Sequence, residues 1–138
     1  MPTPPLPAEL EEFLKQPNPS VIATIRADGS PHTAATWYLW EDGHVLVNMD
    51  ESRKRLEHIR RNPSVSITVL DNESWYRHVT LIGRATLEED SQLEDIDRLC
   101  NHYMGGPYSE RGRRRWLRRG GVGRRTPARW SCTAHEPR

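Results

Sequence analysis

Asp50-Glu51-Ser52-Arg53-Lys54-Arg55 is the stretch whose residue types and spacing point most directly to chemistry. Three cations crowd the first turn of a predicted helix: Leu56 and Ile59 lie three apart, Asp50 or Ser52 can cap it, and Pro63 stops it. A helix start presents unpaired N–H groups and the positive end of its dipole, so each cation there costs roughly 0.3–1 kcal/mol unless an anion offsets it. A bound phosphate would do so, with Arg53 and Arg55 offering forked donors beside Lys54. A solvated face balanced by Asp50 and Glu51 accounts for the same residues, and the residue types leave both readings open.

His32 and His78 could exchange protons near neutrality, since free imidazole titrates near pH ~6.5. Six histidines are present, however, with no metal-ligand spacing of the HExxH kind, and neither a nucleophile elbow nor a P-loop occurs. No catalytic residue and no metal ligand is therefore assigned. Trp37, Tyr38 and Trp40 fall in one strand-like run, so alternation puts Tyr38 and Trp40 on one face and Trp37 on the other. Such aromatics more often fill a core or a subunit seam than stack on a ring cofactor.

The elements that must hold these residues read as mostly strand. A proline-rich leader precedes a short helix over Ala8 to Gln16, closed by Pro17 and Pro19. Strands follow over Ser20 to Ala27, Thr33 to Trp40 and His44 to Met49, separated by the turn signals Asp28-Gly29 and Asp42-Gly43. After the cationic helix, Ser64 to Leu70 and a long run from Trp75 to Leu87 read as further strands. Glu88 to Met104 has helical spacing behind an acidic start.

Composition sets the outer limits. A chain of 138 residues with 35% hydrophobic content fills one core, so a single domain over 1–138 is expected, with 109–138 as a basic tail. No apolar run approaches the roughly 20 residues that span a bilayer, and Met1 to Pro7 has no signal-peptide pattern, so a cytoplasmic protein without membrane partners is expected. The two cysteines have no paired spacing. Up to Tyr108, ten basic residues face seventeen acidic ones; beyond it, ten arginines face two glutamates. The tail either docks on the acidic body or is offered to an anion; nucleic acid ranks last, because the body has no matching surface.

The ordered set Ala23-Thr24-Ile25-Arg26-Ala27-Asp28-Gly29-Ser30-Pro31, Trp37-Tyr38, Ser52-Arg53-Lys54-Arg55, Arg60-Arg61-Asn62-Pro63, Tyr76-Arg77 and Gly83-Arg84-Ala85 resembles the pyridoxamine 5′-phosphate oxidase-like split β-barrel superfamily. It looks closest to the F420-dependent branch. The resemblance covers roughly Ser20 to Tyr108. It implies a mainly β fold of about six antiparallel strands with small helices, and a homodimer with two cofactor sites at the interface. It also implies a reductase passing a hydride between coenzyme F420 and an unsaturated small-molecule acceptor. An FMN-dependent oxidase of the pyridoxamine phosphate type and a non-catalytic F420 or flavin carrier are the alternatives.

In such relatives, positions matching Arg53 and Arg55 hold the cofactor phosphate, and the ring lies along the strand matching Val47, Asn48 and Met49. Positions matching His32, Ala34, Ala35 and Thr36 flank the ring or face substrate, and the partner contributes the segment matching Trp75, Tyr76, Arg77 and His78. The tail departs from the pattern, for Pro127 to Arg138 does not read as the closing strand. One codon choice for Ala128 to Thr133, read one nucleotide out of frame, encodes Glu-Val-Val-Val-His, so a frame-shifted end is the hypothesis for that segment. Sequencing the locus tests it.

Overall fold

A computed structural model describes residues 6–49, 54–90, 94–106 and 123–129. In chain order the elements are α1 (Ala8–Leu14), β1 (Ser20–Ile25), β2 (Pro31–Thr36), β3 (Leu39–Glu41), β4 (His44–Met49) and α2 (Lys54–Arg61). They continue with β5 (Ser64–Leu70), β6 (His78–Ala85), β7 (Glu88–Asp90), α3 (Glu94–Met104) and β8 (Gly123–Arg129). The described strands form one sheet in the order β2-β1-β5-β6-β8-β4-β3, with β7 beside β8 and every pairing antiparallel.

That order dictates the shape. Laid flat, seven strands at about 4.8 Å spacing would hold β2 and β3 roughly 29 Å apart. Only Trp37 and Tyr38 join those two strands, and such a link reaches about 11 Å at most. The sheet must roll up until its two ends meet. β2 and β3 do not pair, so the result is a barrel with a split.

Alternation lines the interior: Ile22 and Thr24 on β1, Val65, Ile67 and Val69 on β5, and Val79 and Leu81 on β6 are buried. Phe13 and Leu14 of α1, Leu56 and Ile59 of α2, and Tyr38 and Trp40 complete the same core. Asp42 and Gly43 both take positive φ, 50° and 75°, as a two-residue type I′ hairpin requires. At the other turn signal Gly29 has φ 85°, and the Asp28 carboxylate accepts the Ser30 N–H at 2.9 Å and its hydroxyl at 2.6 Å. Those two bonds hold the Asp28 carboxyl below its ordinary range.

Several sequence expectations need correction. The run from Thr33 to Trp40 is two strands, because the chain turns the barrel's corner at Trp37-Tyr38. There the Tyr38 N–H donates to the Tyr103 hydroxyl at 3.3 Å instead of to a neighbouring strand. Trp75 to Arg77 lie in a turn, where the Arg77 N–H bonds the Ser74 carbonyl and the Asp71 N–H bonds the Arg77 carbonyl; hairpin closure overrides their strand propensity. Glu88 to Asp90 pair with β8 instead of opening the helix, whose described residues are Glu94–Met104. Gly123 to Arg129, which did not read as a strand, form the strand inserted between β4 and β6; of the Ala128 to Thr133 segment, residues 130–133 lie outside the described residues. Ladder pairing uses backbone groups, so an arginine-rich segment can supply them. The described residues form eight antiparallel strands, where about six were expected.

Candidate functional site

Arg55 is the second described residue of α2; its side chain is half-buried and its Nε buried, while Lys54 is exposed. Arg53 lies outside the described residues. Leu56 and Ile59 anchor the helix in the core, which fixes the face that carries Arg55. One turn on, His58 Nδ1 lies 3.0 Å from Thr24 Oγ1. Thr24 is the register partner of His32 on β2, and the two imidazoles meet edge to face, centroids 5.2 Å apart at 72°. His32 Nδ1 is buried without a hydrogen-bond partner among the described residues. Burial first, then His32, Arg26 and Arg61, push the His58 pKa down, against a smaller opposing effect of Glu57. His58 therefore stays neutral near neutral pH.

β4 is buried on both faces. Val47 points into the core and so offers a site only its backbone; Asn48, on the opposite face, is 8% exposed. Register sets Arg125 against Asn48 and Arg124 against Met49. The closing strand thus brings two arginine positions beside the end of β4 that leads towards α2.

The remaining candidates lie elsewhere. Thr36 pairs with Ser20, Ser20 with Val69, and Val69 with Val79, next to His78. Thr36 and the Tyr76 to His78 segment therefore share one end of the barrel, whereas Thr24, His32 and α2 hold the other. Four residues of β1 separate the two ends, about 13 Å. In the β5–β6 turn, Trp75 and Tyr76 stack on each other at 4.1 Å and remain 65% and 73% exposed. Arg77 lies over the Phe13 ring at 5.3 Å and 3.8 Å from Asp71. His78 Nδ1 is 3.2 Å from the Trp75 carbonyl.

His58 is the residue that sequence reading missed. Its one signal is the spacing of three from Arg55, which places both on one helix face. Nothing in the sequence says that Thr24 and His32 wait opposite. Arg124 and Arg125 were missed because their strand was not recognised.

The geometry defines a class: a split antiparallel barrel with an arginine at the start of the helix that crosses one end. The comparisons agree. Residues 6–131 match the family described as pyridoxamine 5′-phosphate oxidase, and the chain belongs to that family. Among solved structures, an F420 reductase is similar at TM-score 0.77 and 23% identity, covering 91% of this chain and 95% of that one. A conserved hypothetical protein of Mycobacterium tuberculosis matches at 0.66 and 26%, over 93% and 83% of the two chains. A Lactobacillus delbrueckii protein provisionally named a pyridoxamine 5′-phosphate oxidase matches at 0.60 and 19%, over 91% and 89%. No curated protein matches the sequence. Among the described residues, no helix is long and apolar enough to cross a membrane.

Proposed function

We propose that this chain is an F420-dependent reductase of an unsaturated small-molecule acceptor, working as a homodimer. The observation that carries the reading is Arg55, a half-buried cation on the first described turn of α2, one turn from His58, whose pKa burial lowers. A cation so placed opposes the helix dipole, and a phosphate seated there reverses the sign of that interaction. The shared fold with an F420 reductase, over nearly the whole of that chain, supports the deazaflavin over FMN.

The residues present fit such a cofactor. Arg55 and the N–H groups at the start of α2 would hold its phosphate, and Arg124 and Arg125 lie on the strand next to the same end. Asn48 is the polar residue that β4 would offer the ring, and His32 would flank it from β2. When bound, a deazaflavin supplies two-electron hydride chemistry from its ring, and the protein's part is to orient the reactants and exclude water.

The 13 Å division described above supports the dimer reading: Tyr76, Arg77 and His78 stand at the other end of the barrel from His32 and α2, and a second copy, related by a two-fold axis, would bring them to that site. The outer face of β2-β1-β5-β6 suits that contact. Its central register rows read Thr33-Ala23-Ser66-Ile82 and Ala35-Val21-Thr68-Thr80, without a charge.

The test is a parallel titration with F420 and FMN, followed by tryptophan fluorescence. F420 is expected to bind more tightly, and Arg55→Ala to weaken it by about 1.5–3 kcal/mol, the worth of a hydrogen bond to a charged group. Unchanged affinity would remove Arg55 from the site. Preference for FMN would move the chain to the oxidase reading.

A further inference from the structure

At the end of the barrel away from Arg55, a cleft of about 490 Å³ opens beside Trp37, within the size range of small-molecule sites. Trp37 is 37% exposed, and its indole lies nearly parallel to the Tyr103 ring, at 8° with centroids 5.2 Å apart. Tyr103 is itself held: its hydroxyl donates to the Asn18 carbonyl at 2.7 Å and accepts the Tyr38 N–H at 3.3 Å. The indole is thus a backed, pre-set platform, and a ring ligand need not order it on binding.

The rest of the lining decides the ligand's polarity. Pro17, Pro19 and Ala35 are apolar walls. The polar side chains each donate to the backbone: Ser20 Oγ to the Thr36 carbonyl, Thr36 Oγ1 to the Trp37 carbonyl, and Asn72 Nδ2 to the Pro17 carbonyl. Among the described residues no charged side chain lines the cleft, and an ionic ligand there would lose its hydration without a counter-charge from them. We infer that this cleft binds an uncharged, planar, fused-ring molecule, stacked on Trp37. In the reaction proposed above it is a seat for the acceptor; the binding itself does not rest on that reading.

The test uses the full chain without cofactor, so its outcome is independent of which cofactor the protein takes. 2-Naphthol is titrated calorimetrically and by the indole N–H resonance of Trp37, with 2-naphthoate as the charged counterpart. Saturable single-site binding of 2-naphthol is expected, at least tenfold tighter than 2-naphthoate. Trp37→Ala should weaken it about tenfold, the combined effect of lost stacking and lost apolar contact. Ala35→Phe, at an exposed position on β2, should obstruct the cleft while leaving the Trp37–Tyr103 stack in place, and so guards against a Trp37 variant that fails to fold. Equal binding of the two naphthalenes would overturn the inference. So would binding that survives Ala35→Phe, or no saturable binding because a second copy covers the cleft.

Discussion

Buried hydrogen-bonding residues set how this protein responds to pH. The fully buried Tyr38 hydroxyl donates to the Leu14 carbonyl at 2.8 Å and accepts from Asn18 Nδ2 at 3.2 Å, and burial pushes its pKa far above the ordinary tyrosine range. Tyr103 is pushed up to about 12 by the same cause. A raised acid group contributes stability that is complete below the unfolded pKa, about 10 for tyrosine, and is lost as pH rises through the folded value. His58 works in the opposite direction. Its pKa is lowered by burial and by His32, Arg26 and Arg61, so the unfolded chain binds its proton more readily. Its contribution is present above the unfolded value of about 6.5 and lost as pH falls below it. The melting temperature should therefore fall between about pH 7.5 and 5.5, and His58→Gln should flatten that slope. An unchanged slope in a scan of melting temperature against pH would separate His58 from the effect.

Local signals decided which elements were legible. The two Asp-Gly turns and the alternation of Ser64 to Leu70 read correctly, since hairpin geometry and one buried face leave the residues little choice. Trp37 and Tyr38 did not, because nothing local marks the corner of a barrel; the exposed indole beside a buried phenol is right for alternation yet wrong for an unbroken strand. Trp75 and Tyr76 carry strand propensity and stand in a turn. β8 was invisible for a different reason: Gly123 to Arg129 shows no apolar alternation, and Pro127 offers no N–H to the ladder. Two neighbours hold it, β4 and β6, with β7 at its side. A chain stopped before Gly123 should expose the facing edges of β4 and β6. It is expected to lose its cooperative urea transition and to appear in the insoluble fraction on expression; a soluble, cooperatively unfolding product would show that β8 is dispensable.

Across the whole molecule, charge is divided before it is folded together. The acidic body and basic tail meet in register where Arg125 lies opposite Glu88 and Arg124 opposite Glu89. Part of the tail is thereby committed to the body. Further along the surface, Ile82 is 55% exposed in the middle of the uncharged outer rows. If a second copy covers that face, Ile82→Lys buries an unpaired ammonium and should convert the dimer to monomer in light scattering, with the melting transition of the monomer retained. A variant that stays dimeric would put the contact on another face.

Because β8 lies between β4 and β6, the strand that joins the two halves of the sheet is the last described strand to be synthesised. Closure is therefore a matter of time as well as of geometry. While a nascent chain is being extended, β1, β2, β5 and β6 can zip up, whereas β4 must wait beside an unfilled gap. Pairing over such sequence distances is slow, on the order of milliseconds to seconds, and until it is complete two unpaired edges are open to other chains. Yield in the cell thus depends on how quickly translation delivers β8, and on whether a chaperone shields the gap in the meantime.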